Sequence, residues 1–391
     1  MTVMAKKKQM IAKSSTTRSL VGTRSVRASQ SSFSEEDDAP EPLDLSADER
    51  KLVTQPYDYS VDQLTAHVDK GKIVLIDVPY QREYVWDDTK ASRLIESLLL
   101  NVPIPVCYFA ENEDNTWEVI DGLQRVRSIV RFLRGDFVLR GLSVLTELNG
   151  LKFADIPARD QRRIESRTLR FVVITQESHP DIKFDVFERL NTGAVKLLPQ
   201  ELRNCIYRGP LNDALQNMSD YASYRAALGR SRDPRMRDEE LVLRFLALYS
   251  DIRGYKPPLA QHLNEYMRKN RAKTPDSATL NVFDDTMKAI SEVLGERAFS
   301  MLRYGKASSN INRALFDAVS VSFAFADRGA IRRKAKAVWK AHAALLTDST
   351  FQPLVGRATA DRTRMHGRVR MYTAAIRAVG VKTTLPDLPE E

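Results

Sequence analysis

The chain has almost no cysteine: Cys107 and Cys205 are the only two in 391 residues. Two thiols cannot staple a protein of this length, so a disulfide framework is excluded and a reducing cytoplasm is expected. Long apolar runs are missing too. Nothing approaches the roughly 20 apolar residues that a membrane helix needs, and short runs such as Leu98-Leu99-Leu100 read as pieces of amphipathic helices. The basic opening, MTVMAKKKQMIAKSSTTRSL, lacks the long apolar segment of a secretory signal. The five histidines (His67, His179, His262, His342, His366) are scattered, and no His/Cys pair has zinc-ligand spacing. No Gly-x-x-x-x-Gly-Lys-Ser/Thr occurs, so a P-loop enzyme is excluded. Asp181-Ile182-Lys183 has the look of a nuclease acid–lysine motif, but such tripeptides recur by chance.

What is present is a foldable chain with an uneven charge. Hydrophobic residues make up 43%, enough for a core, and the length suits one large domain or two ordinary ones. The net charge is +9. From Arg328 to Gly380 there are twelve Lys/Arg and two acids, Asp348 and Asp361, a local net charge of +10. The remainder is close to neutral. This basic stretch, with Arg332, Arg333, Lys334, Lys336, Arg364, Arg368 and Arg370 as its candidate contacts, suggests a polyanion such as DNA. A solvated helical face with no partner is the alternative.

Residues 1–52 read as a disordered tail, because lysines, Ser/Thr clusters and SEEDDAPEPLD offer little apolar surface to offset ordering entropy. Residues 53–208 alternate strands and helices. KIVLIDVP is a β-branched strand stopped by Pro79, and DDTKASRLIESLLL places Ala91, Leu94, Ile95, Leu98 and Leu99 on one helical face. PVCYF and TWEVI form a strand pair around the loop AENEDN. Val126, Ile129, Val130 and Leu133 give a second amphipathic helix ending at Gly135. TLRFVVI is a further strand, followed by the helices DIKFDVFERL and PQELRNCIY. After Gly209 strand signals vanish. DPRMRDEELVLRFLALYS reads as a helix with Asp233 as N-cap and Pro234 at its first position. Helical patterns then continue, giving an all-α domain over 209–380 and a tail over 381–391.

Three stretches set unusual polar residues beside apolar structure: VPYQREYVWDD, VIDGLQR and FERLNTGAVKLLPQELRN. In the second, a strand ends at Ile120 and Gly122 lets the chain turn without a Cβ penalty. A helix follows at once, so its unpaired N–H groups and positive dipole end face the turn, as in phosphate sites. Arg125 can add a bidentate phosphate contact. Asp121 is a candidate magnesium ligand, since carboxylates with phosphate oxygens are usual for that ion. The plain alternative is that Asp121 caps the helix and Arg125 pairs with it on the surface. Trp86 either packs in the core or stacks on a base.

Together, Gln81-Arg82-x-x-x-Trp86, Asp121-Gly122-Leu123-Gln124-Arg125, Asn191-Thr192-Gly193 and Glu201-Leu202-Arg203 resemble the N-terminal domain family of GmrSD-type modification-dependent restriction systems. That family's pattern runs Gln-Arg-x-x-x-Trp, Asp-Gly-Gln-Gln-Arg, then Asn-Thr-Gly before a Glu-Leu-Arg helix. The resemblance covers about Tyr57 to Tyr207, and MRDEELVLRFLAL and NRALFDAV extend it. It implies a ParB/sulfiredoxin-like α/β fold that binds a nucleoside triphosphate with magnesium, and in some members hydrolyses it, in a prokaryotic defence setting; slow hydrolysis is the expectation for this chain. Gly122 and the helix N-terminus would hold phosphates, Gln124 and Arg125 would orient them, and Asp121 would position metal or water. Gln81 and Arg82 would approach from the neighbouring strand end, Asn191 and Glu201 from the helical side. Relatives often carry a histidine–metal nuclease domain, and nothing after Gly209 looks like one, so a separate nuclease chain is an expected partner, alongside DNA and a second copy. The competing readings are a DNA-sensing module without turnover and a nuclease whose metal site is unrecognised. Leu123 departs from the family's glutamine and cannot hydrogen-bond. It either packs inward, leaving hydrolysis intact, or marks a lost water-orienting amide.

Overall fold

The computed structural model describes residues 51–75, 86–190, 198–233, 235–303, 306–356 and 360–389. The first part holds β1 (Thr54–Ser60), α1 (Val61–Asp69), β2 (Ile73–Val74), α2 (Asp88–Leu99), β3 (Cys107–Glu111), β4 (Trp117–Asp121), α3 (Leu123–Leu133), α4 (Ala158–Glu165), β5 (Thr168–Ile174), α5 (Pro180–Leu190) and α6 (Pro199–Ile206). The strands form one mixed sheet in the order β1-β5-β3-β4-β2. β1 and β5 are antiparallel, β3 runs parallel to β5, β3 and β4 make the expected hairpin, and β2 joins β4 in parallel.

Period-two alternation splits the sheet residues between two layers. Phe109, Trp117, Val119, Phe171 and Val173 pack against the apolar stripes of α1, α2 and α3. Ala110, Ile120 and Ile174 point the other way, onto Phe184 and Phe187 of α5 and Leu202 and Cys205 of α6. Each buried Val, Leu, Ile or Phe among them contributes about 1.5–3 kcal/mol. The helix starts are fixed locally. Ser60 and Gln63 form a capping box on α1, and Asp87 accepts from the Lys90 N–H at 2.7 Å to cap α2.

The second part is helical: α7 (Pro210–Ser219), α8 (Ala222–Leu228), α9 (Arg237–Asp251), α10 (Leu259–Asn270), α11 (Ser277–Leu294), α12 (Arg313–Ala324), α13 (Arg328–Arg333), α14 (Ala335–Thr347), α15 (Gln352–Gly356) and α16 (Arg362–Ala378). α9 and α12 are buried on nearly every face and form the centre of a single large core. Between them Arg244 donates to Asp317 through Nε at 3.0 Å and Nη2 at 2.7 Å, and Arg368 of α16 donates to the same carboxylate at 2.7 Å.

Three local readings change. Strands do occur after Gly209: β6 (Ser300–Arg303) and β7 (Lys306–Ile311) make a hairpin. KASSNI has no apolar alternation to announce it. Packing of Phe299 on Phe316, 4.8 Å between ring centroids, holds its base. Asp233 is not an N-cap, because α9 begins at Arg237. The Asp233 N–H instead donates to the buried Asp238 carboxylate at 2.9 Å, and Pro234 lies outside the described residues. Residues 381–389, expected as a tail, lie along the helices, with Val381, Leu385 and Leu388 buried. Lys382 O accepts from the Asp327 N–H at 2.9 Å, and the Thr384 N–H donates to Phe325 O at 2.7 Å. Among the described residues no helix is long and apolar enough to cross a membrane.

Candidate functional site

The joint between β4 and α3 is built around Gly122. Its φ of +97° and ψ of +8° lie in the left-handed region that favours glycine. A Cβ there would sit 2.5 Å from Cys107 Sγ and 3.2 Å from Arg125 Nη2. The first turn of α3 therefore starts against β3, with no side-chain cap.

Arg125, one turn on, braces this corner. Its Nη1 donates to Pro105 O at 2.6 Å and to Val106 O at 3.4 Å. Its Nη2 donates to the Asp121 carboxylate. The Arg125 and Asp121 side chains are 14% and 31% exposed, so the pair is half-sheltered rather than a surface ion pair. Asp121 does not cap α3; its carboxylate is held by the guanidinium. The pairing alternative is thus the geometry adopted, and Arg125 is bound on the protein's own acceptors.

Burial pushes the Cys107 thiol up to about 11, with Arg125 pulling it down and Asp121 pushing it further up. The thiol is neutral near pH 7 and is not a nucleophile. Gln124 Oε1 accepts from the Trp86 N–H at 3.3 Å, which ties α3 to the segment leading in from Gln81 and Arg82. Trp86 packs partly against the sheet core and carries Lys90 Nζ 4.8 Å from its ring centroid, so the core reading describes it. Leu123 is half-buried against the same core, which is the inward-facing alternative for that position.

Gln81, Arg82 and Asn191 lie outside the described residues. Glu201 is buried at the start of α6. Its carboxylate accepts from the Leu198 N–H at 2.5 Å and from Arg235 Nη2 at 2.9 Å. Those bonds tie α6 to the loop before α9, and neither reaches Asp121 or Arg125. Sequence reasoning missed Cys107, the Pro105 and Val106 carbonyls, and Arg235. Only the fold brings these residues up against the motif, so no local signal could have found them.

The basic set divides once partners are seen. Arg368 is corrected: it is 0% exposed and ion-paired with Asp317, so it cannot touch a nucleic acid. Arg332 is bound by Asp285 and Glu292, both at 2.6 Å. Lys334 Nζ caps the end of α16, donating to Val379 O at 3.0 Å and Gly380 O at 2.8 Å. Arg364 and Arg370 are half-buried and donate to Pro353 O at 3.4 Å and Pro389 O at 3.5 Å. Arg333 is exposed, with Asp327 3.8 Å away. Lys336 is exposed on α14.

A magnesium–triphosphate needs N–H donors for phosphate and one or two carboxylates for the metal. The uncapped start of α3 and Asp121 supply that donor set. No group of three His/Cys/Asp/Glu side chains that could hold a metal occurs among the described residues, so any metal here depends on ligand oxygens as well.

These features define an α/β part with a glycine-opened turn at a sheet end and an uncapped helix start, followed by a helical part. Residues 63–208 match the family model described as GmrSD restriction endonuclease, N-terminal domain. By its description that family belongs to restriction systems. The comparison with curated proteins gave no match.

Proposed function

We propose that this protein is a nucleotide-binding regulatory component of a restriction-type system. It would hold nucleoside triphosphate phosphates at the start of α3, with magnesium, and hydrolyse them slowly. The observation that carries the reading is the glycine-opened first turn of α3, uncapped and flanked by the Asp121–Arg125 pair. Bound magnesium would supply charge neutralisation of the phosphates. Asp121 would turn from Arg125 toward the metal. Arg125 would exchange that carboxylate for a phosphate oxygen while Nη1 stays on Pro105 O. Nucleotide state would thereby be felt at the start of β3, through a charge-assisted bond made or broken on one guanidinium. Leu123, turned to the core, takes no part in positioning water.

The test is calorimetric titration with ATP, GTP, CTP and UTP, each with and without magnesium, followed by phosphate release. Wild type should bind at least one triphosphate, more tightly with magnesium. Asp121→Asn should bind equally with and without the ion. Failure of all four to bind up to about 1 mM, a standard free energy of about −4 kcal/mol, would overturn the reading.

A further inference from the structure

The outward face of α14 carries an arrangement that the nucleotide reading does not use. Val338, His342, Leu345 and Leu346 turn inward to the helical core. Lys336, Trp339 and Lys340 stand at i, i+3 and i+4, so they are neighbours on the helix surface, and all three are exposed. Trp339 is 52% exposed and is the one aromatic among the exposed large apolar side chains of the described residues. Of its neighbours one turn away, Ala335 and Ala343 at i−4 and i+4 are too small to cover an indole. A tryptophan is ordinarily buried for most of its area, so leaving half of it in water gives up stabilisation.

The charge along α14 is of one sign. From Arg328 to Thr347 there is no acidic residue. Arg328 and Arg332 are neutralised by Asp285 and Glu292 across the groove to α11, and Lys334 is committed to the end of α16. Lys336 and Lys340, both exposed, have no acidic partner among the described residues. Arg333, with its side chain 72% exposed, extends the cationic surface at the helix start.

We propose that this face of α14 binds single-stranded nucleic acid, with an unpaired base stacked on Trp339 and the flanking phosphates held by Lys336 and Lys340. An aromatic platform beside a cationic track is what unpaired strands require, because every base offers a π-face and every linkage a charge. A second copy of this chain is disfavoured, since its own lysines would meet these. A paired duplex hides its base faces, so it could use the lysines but not the indole. The surface is distinct from the start of α3 and needs no nucleotide, so its success or failure is independent of that reading.

The test uses the full chain without nucleotide and follows the polarisation of a fluorescein-labelled dT20 strand. Trp339→Ala should weaken binding at least tenfold, and Trp339→Phe should restore most of it. Lys336→Ala with Lys340→Ala should flatten the plot of log affinity against log salt by about 1.4, at about 0.7 per lost phosphate contact. Melting temperature should stay unchanged for the double lysine variant, whose side chains are exposed, and Trp339→Phe controls for the covered half of the indole. Inorganic polyphosphate, which has charge and no bases, should bind wild type and Trp339→Ala alike. Lysine-rich residues early in the chain are common to every variant, so they cancel in these comparisons. The proposal is overturned if wild type does not bind dT20, or if Trp339→Ala binds it as wild type does. It is equally overturned if Trp339→Ala loses a hairpin duplex or polyglutamate as strongly, since the face would then be a groove contact or a protein-docking surface.

Discussion

Gly122→Ala tests the geometry of the candidate site most directly. Two costs add at this position. A non-glycine residue in the left-handed region pays about 1–2 kcal/mol, and φ is +97° here. The new methyl would also sit 2.5 Å from Cys107 Sγ and 3.0 Å from its Cβ, and forcing an extra carbon into a packed site costs about 1–3 kcal/mol. The expected loss is therefore about 2–5 kcal/mol, read by urea unfolding through tryptophan emission. Cys107→Ala separates the two costs, because it removes the sulfur and leaves the dihedral as it was. By itself it should cost about 1 kcal/mol, near the value of one buried methylene. In the Gly122→Ala background it should cost less or become favourable, giving a coupling of about 1–2 kcal/mol. Additivity to within about 0.5 kcal/mol would refute the close approach of β3 to the helix start. A single-mutant cost below about 1 kcal/mol would refute the whole account of the turn.

Two further outcomes follow from the helical core. Asp317→Asn leaves the buried guanidinium groups of Arg244 and Arg368 without their shared carboxylate; it should destabilise by about 3–5 kcal/mol in denaturant, and a change under 1 kcal/mol would contradict it. His342 is held neutral, since burial lowers its pKa to about 4, with Nδ1 2.8 Å from the Tyr372 hydroxyl. Its folded value lies below the ordinary 6.5, so its contribution is whole above that pH and is lost as pH falls from about 6.5 to 4, at up to about 1.4 kcal/mol per unit. Melting curves of wild type and His342→Gln should converge over that window, and parallel curves would exclude the group as the cause.

The sequence by itself determined the elements whose signals are local. Leu94, Ile95, Leu98 and Leu99 recur at helical spacing, and α2 forms where they stand. Trp117, Val119 and the loop before them mark β4. Asp121-Gly122 marks the joint, because a left-handed residue packed this closely on β3 favours glycine, and a one-residue preference is visible in one residue. The change from alternating elements to helices after Gly209 was legible for the same reason, as a change of period.

Tertiary structure decided what each charged side chain does. Twelve basic residues look alike in sequence, yet Arg368 ends at 0% exposure on Asp317 while Lys336 stands in water beside Trp339. An ion pair depends on which helices cross, and Asp317 lies on α12, 51 residues before Arg368. Arg125 likewise finds Pro105 and Val106 across the β3–β4 hairpin, and Gly122 meets Cys107 there. The β6–β7 hairpin rests on Phe299 and Phe316, which only the fold brings face to face. Periodicity reports which face of an element is apolar. What that face meets depends on chain crossings that span tens of residues, and no local pattern encodes them.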